Sequence, residues 1–188
     1  MTIGNAIRIM QNYLTKDGRK FNIRRPVEAD ADNIISYSHI LFASTDQVLT
    51  IPEEYNITTE NEKAWIYNIN QSASSLLLVA DLDEQIVGLL FFIPNGKRKN
   101  SHTGEFGVSV HPQFQGIGIG RQLINTLLNW AKSNTAIEKV YLNVFSTNQP
   151  AIGLYRDLGF IEEGRHIKAV KQLNGEYVDV LQMYVETK

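Results

Sequence analysis

Val108-Ser109-Val110-His111-Pro112-Gln113-Phe114-Gln115-Gly116-Ile117-Gly118-Ile119-Gly120-Arg121 decides how this chain is read. An apolar strand ends at His111-Pro112, and a turn with alternating glycines follows. Leu123, Ile124, Leu127, Leu128 and Ala131 then recur at helical spacing, which predicts an amphipathic helix. A helix starting there aims unpaired backbone N–H groups and the positive end of its dipole at one spot, an arrangement suited to a phosphate. Gly118 and Gly120 admit a ligand close to the backbone, and Ile117 and Ile119 can anchor the helix start on a sheet.

Two familiar phosphate motifs fail here. A P-loop needs Gly-Lys-Ser/Thr, whereas Gly120 is followed by Arg121-Gln122. The dinucleotide fingerprint needs a third glycine where Arg121 stands, and a βαβ setting. Taken alone, the turn reads equally well as a glycine-rich strand-to-helix connection with no ligand.

Outward from the turn, the pattern alternates between sheet and helix. Upstream, Ser75–Asp81, Gln85–Ile93 and His102–Val110 predict a meander, with Asp83-Glu84 as its first turn. Further back, Asp17-Gly18 predicts a hairpin between Ile7–Leu14 and Phe21–Arg25. Asp30 or Asp32 can cap a helix through Ile34, Ile35, Tyr37 and Leu41, and Thr59 with Glu62 fits a capping box for a second helix. Downstream come a strand at Lys139–Phe145 and a short helix at Pro150–Leu158. Two final strands, Phe160–Val170 and Glu176–Val185, are joined around Asn174-Gly175. The fold class is α+β, and the 188 residues form one expected domain, with 1–15 a weakly patterned N-terminal extension.

Composition narrows the function. Net charge is -2, so a bulk electrostatic case for nucleic acid is missing, and Lys97-Arg98-Lys99 reads as a solvated hairpin loop. The chain has no cysteine, which excludes a thiol nucleophile, disulfides and thiolate metal sites. His39, His102, His111 and His166 lack metal-ligand spacing, so no metal is expected. Apolar runs fall short of the ~20 residues a membrane span needs, and no signal peptide is visible at the start, so the expected location is cytoplasmic, away from membranes.

Gln115-x-x-Gly118-x-Gly120 resembles the acyl-CoA pyrophosphate signature of the GNAT superfamily of N-acetyltransferases. About 28 residues later, Asn148-Gln149-Pro150-Ala151-Ile152-Gly153-Leu154-Tyr155-Arg156-Asp157-Leu158-Gly159-Phe160 is similar to that superfamily's second signature, N-x-x-A-x-x-L-Y-x-x-x-G-F. The resemblance covers roughly residues 20–185, and the C-terminal part is similar to a bacterial subset that includes ribosomal-protein, amino-acid and polyamine acetyltransferases. It implies a mixed, mostly antiparallel sheet of about seven strands flanked by about four helices, with a splayed cofactor cleft. It further implies transfer of an acetyl group from acetyl-CoA, as cosubstrate, to a primary amine of a small molecule, peptide or protein. A homodimer is a common state of the family. The alternative is a non-catalytic acyl-CoA-binding or regulatory module on the same fold.

On this resemblance, the cofactor-binding residues are Val108, Val110, Gln115, Gly116, Ile117, Gly118, Ile119, Gly120, Arg121, Asn148 and Tyr155. Asn148 also reads as a helix cap. Tyr155 matches the family's proton donor to the departing thiolate, against a plain reading as a core tyrosine. Glu105 is the candidate activating carboxylate; by strict alternation it faces away from Phe106, Val108 and Val110 unless Gly107 marks a bulge. Asn143 stands where some relatives carry a glutamate; it cannot take a proton but can orient a water or the acceptor. Residues 38–60 and the Leu173–Glu176 turn are the expected acceptor pocket, with Asp46, Glu53, Glu54 and Tyr55 offering charge and an aromatic wall.

Overall fold

The computed structural model describes residues 10–188. Eight strands form one sheet in the order β1-β2-β3-β4-β5-β6-β8-β7. They are β1 (Met10–Leu14), β2 (Lys20–Arg24), β3 (Leu76–Leu82), β4 (Gln85–Pro94), β5 (Thr103–Val110), β6 (Lys139–Phe145), β7 (Ile161–Lys171) and β8 (Tyr177–Glu186). The helices are α1 (Ala31–Ser44), α2 (Thr59–Gln71), α3 (Ile119–Ser133) and α4 (Gln149–Asp157). The family resemblance implies about seven strands and the sheet has eight, β1 being the strand that the Asp17-Gly18 hairpin predicts. That strand pairs with β2 across the expected Asp17-Gly18 turn. Ile7 to Ile9 of that expected strand lie outside the described residues.

The two faces of the sheet carry separate cores. Leu78, Phe92, Leu123, Leu127 and Leu142 pack on the α3 and α4 side. Ile34, Tyr37, Ile66, Leu77 and Val79 pack on the α1 and α2 side. β3 contributes to both, so Leu76 to Ala80 are all buried and its sequence is a continuous apolar run rather than an alternation.

Helix starts differ in detail from the expected caps. Asp30 precedes α1 but its carboxylate accepts from the Val27 N–H at 2.7 Å and pairs with Arg24, so it does not cap the helix with its side chain. α2 is capped by Thr58, whose hydroxyl accepts from the Asn61 N–H at 3.2 Å. The Thr59–Glu62 box is therefore shifted by one residue, because Thr58 is the residue holding the extended backbone a cap needs. Thr59 instead donates to Asp32 at 2.6 Å, and Glu62 is buried.

One irregularity shapes the rest. β5 and β6 are the parallel pair, and they bond only through Thr103–Glu105 against Lys139–Tyr141. Beyond that point β5 stays with β4 and β6 with β8, so a wedge opens between Phe106–Val110 and Leu142–Phe145.

Candidate active site

The register of β4 on β5 runs without a break from Gly88–Val110 to Pro94–Gly104. Gly107 therefore marks no bulge. A Cβ there would lie 2.6 Å from the Phe91 ring, so glycine is present to let that ring cross the strand. Alternation is strict as a result. Phe106 enters the α3/α4 core, while Glu105, Gly107 and Ser109 lie on the α1/α2 face.

The same register says which backbone groups face the wedge. The His111 N–H donates to the Val87 carbonyl at 2.9 Å, continuing the ladder by one residue. Stepping back by twos assigns Ser109, Gly107 and Glu105 to β4, and turns the N–H and C=O of Phe106, Val108 and Val110 toward the wedge. The Val110 carbonyl is taken by Gln115 Nε2 at 3.1 Å. The Val108 groups remain open to a guest.

At the end of β5 the chain passes a short 3-10 turn at Pro112–Phe114 and enters α3 through the glycines. Gly118 occupies the N-cap position with φ of 102°, a left-handed conformation that favours glycine. Among the described residues no side chain caps α3, in contrast with Thr58 on α2 and Asn148 on α4. The first N–H groups of α3 are thus available to an anion at the positive end of a 15-residue helix. Ile119 is wholly buried in the core, so it can offer a ligand only its backbone. Ile117 packs partly against the core and Gly116, with φ of 77°, lies in open space. Arg121, in the first turn, pairs with Asp157 of α4 at 2.8 Å.

Tyr155 reaches the wedge from the α3/α4 side. Its ring stands perpendicular to Phe106 at 6.1 Å and also contacts Phe160. The residue is 8% exposed, and its hydroxyl, unpartnered among the described residues, is not sealed from solvent. Burial pushes the phenol up to about 12. Asn148 caps α4 by accepting from the Ala151 N–H at 3.3 Å.

Glu105 and Asn143 meet on the other face. Asn143 Nδ2 donates to Glu105 Oε1 at 2.8 Å, bridging the strands just past their last pairing, Glu105 with Tyr141. Nearby, the buried Tyr37 of α1 donates to Ser109 Oγ at 2.8 Å, a contact no local sequence signal announces. The expected pocket segments also come together. Phe42, Asp46, Ile51, Pro52, Leu173 and Asn174 line a groove of about 580 Å³. Gln172 Nε2 donates to the Asp46 carbonyl at 3.1 Å and Thr147 to Gln47 Oε1 at 3.0 Å, so the groove adjoins the wide end of the wedge. Glu53 is exposed on the short turn that Pro52 begins, and Tyr55 packs against His39 and Phe42; neither lines the groove, whereas Asp46 does. Among the described residues, no helix is long and apolar enough to cross a membrane.

The chain is similar in sequence and fold to known proteins. Residues 43–160 match the model of the Acetyltransferase (GNAT) family. The chain is 33% identical over 133 residues to spermidine N(1)-acetyltransferase of Vibrio cholerae, covering 71% of this chain and 75% of that protein. It is 28% identical over 141 residues to an L-amino acid N-acetyltransferase of Escherichia coli, covering 73% and 86%. Among solved structures, a GNAT-family acetyltransferase from Streptococcus pneumoniae superposes with a TM-score of 0.85 at 22% identity, over 88% of this chain and 99% of that one. A putative acetyltransferase from Salmonella typhimurium, solved with acetyl-CoA, superposes at 0.79 and 22% identity, over 89% and 94%. With its splayed strands, uncapped glycine turn and α4 tyrosine, the chain belongs to the GNAT family of acetyl-CoA-dependent N-acetyltransferases.

Proposed function

We propose that this enzyme acetylates a primary amine by direct attack in a ternary complex, with donor and acceptor entering the wedge from opposite faces of the sheet. The observation that carries the proposal is the placement of Tyr155 on the α3/α4 side of β5 and Glu105 on the α1/α2 side. The residues present fit acetyl-CoA. Uncapped N–H groups of α3 suit its diphosphate, and the open N–H and C=O of Val108 suit the amides of its pantetheine arm. The acceptor comes through the groove beside Asp46, whose carboxylate favours a cationic amine. A cytoplasmic location, the sequence expectation, completes the proposal.

The chemistry needs a free amine. A lysine-like amine has a pKa near ~10.4, so deprotonation at pH 7 costs roughly 5 kcal/mol. Glu105, oriented by Asn143, accepts that proton directly or through one water. The nitrogen lone pair then forms the bond to the acetyl carbon, the C–S bond breaks, and the electron pair leaves on sulfur. Tyr155 remains protonated at neutral pH and donates a hydrogen bond to that sulfur. Burial pushes its phenol up to about 12, which makes it a weaker acid than a thiol near ~8.5. Hydrogen-bond stabilisation of the departing thiolate therefore dominates over full transfer, and the proton lost by nitrogen reaches sulfur or solvent afterwards.

Steady-state kinetics of Tyr155→Phe, following free thiol across polyamines, amino acids and peptide N-termini, test this assignment. The expected result is a fall in kcat of about 100-fold or more with little change in acetyl-CoA affinity. An unchanged kcat on the acceptor that the wild type acetylates best removes Tyr155 from the chemistry. Acetyl-CoA binding with no turnover on any amine favours the non-catalytic alternative.

A further inference from the structure

The N-terminal hairpin touches the glycine turn. The Lys16 N–H, in the β1–β2 turn, donates to the Ile117 carbonyl at 2.9 Å. The Lys16 side chain lies alongside Gly118, its Cγ 3.9 Å from where a Cβ would stand. The turn itself is held firmly. Thr15 accepts from the Arg19 N–H at 2.9 Å and also bonds Asp17, while the Arg19 guanidinium stacks on Phe114 at 5.2 Å. Phe114 belongs to the 3-10 turn that leads into the glycines, so the hairpin is fastened to this loop at two points.

Among the described residues, Lys16, Arg19 and Arg121 flank the loop, and they are not equivalent. Arg19 is paired with Asp17 at 2.7 Å, and the guanidinium holds that carboxyl down at about 2. Arg121 is paired with Asp157. Lys16 is exposed and has no carboxylate partner among the described residues, and its two outer methylenes and ammonium extend beyond the Cγ already at Gly118. The chain as a whole carries net charge -2, so a polyanion is not attracted by the bulk field and depends on local positive charge.

We propose that Lys16 gives its ammonium to a phosphate group of acetyl-CoA, making the β1–β2 hairpin part of the donor site. The proposal rests on the reading of the α3 N-terminus as the diphosphate cradle. Helix dipole and backbone N–H groups supply directed hydrogen bonds but little net charge. A lysine supplies a full charge that follows the phosphate as a flexible point contact.

Calorimetric titration of wild type, Lys16→Gln and Lys16→Arg with acetyl-CoA, acetyl-dephospho-CoA and S-acetylpantetheine tests the proposal. Lys16→Gln is expected to weaken acetyl-CoA about fivefold, to flatten its salt dependence, and to leave S-acetylpantetheine unchanged. Lys16→Arg should keep most of the affinity. A defect that persists with acetyl-dephospho-CoA assigns the contact to the diphosphate; one that vanishes assigns it to the 3′-phosphate, and either supports the proposal. Wild-type affinity in Lys16→Gln overturns it. So does equal weakening of S-acetylpantetheine, which would make the hairpin a structural support only; melting of the ligand-free variants reads that support directly. If the wild type itself binds S-acetylpantetheine as tightly as acetyl-CoA, the cradle reading fails, and Lys16 with it.

Discussion

Tyr155 is a core residue to which the proposed mechanism gives a second role. Ile152, Tyr155 and Phe160 are buried together, so the ring is core packing by any local criterion. The hydroxyl, however, has no partner among the described residues and keeps its proton well past the ordinary phenol value near ~10. Burial thus maintains the neutral donor through the physiological range. Glu105 and Asn143 divide the labour differently, one able to take a proton and the other to hold it in place. Glu105→Gln keeps an oxygen for Asn143 but loses the basic site. Its kcat/KM at pH 7 is expected to fall by about 100-fold, and the defect should shrink as pH rises toward the amine's own pKa. A defect that is constant across the pH–rate profile would make Glu105 a positioning residue.

At the scale of elements, glycines report where strands and rings must share space. Gly107→Val places a branched side chain against the Phe91 ring and is expected to lower stability by about 1–3 kcal/mol, read from the denaturant midpoint. Gly153, on the exposed side of α4 with open space around it, should respond in the opposite sense. Gly153→Ala is expected to stabilise by about 0.5–1 kcal/mol, because alanine loses less backbone freedom in a helix. The sequence raised Gly107 as a possible bulge and placed Gly153 inside a helical signature, but showed the surroundings of neither. The strands themselves were legible: Lys139–Phe145 has the expected bounds, and the β3, β4, β5, β7 and β8 ends fall within a residue or so. Helix caps were less so, because Thr58 and Thr59 offer the same side chain and only backbone conformation separates them.

Across the whole molecule, the proposed donor site ties distant segments together: the β1–β2 hairpin, β5, the start of α3, and α4. A ligand bound there stabilises all of them at once. At 100 times its Kd, acetyl-CoA should add about 2.7 kcal/mol to the folded state, or roughly 5–10 °C in Tm, measured by differential scanning calorimetry. A shift absent with acetyl-CoA at saturation would mean that the wedge and turn are not its site.

Sequence alone determined what depends on near neighbours along the chain. Hydrophobic period set the strands and helices, the alternating glycines set an uncapped helix start, and the spacing from Gly120 to Asn148 marked the family. Tertiary structure decided what depends on segments far apart in sequence. The wedge exists because β6 leaves β5 after Tyr141 to follow β8, a choice made by pairing some 40 residues later. The Glu105–Asn143, Tyr37–Ser109 and Lys16–Ile117 contacts span 38, 72 and about 100 residues. No local propensity encodes such pairs. They follow from sheet order and from which face each side chain must take once the core is buried.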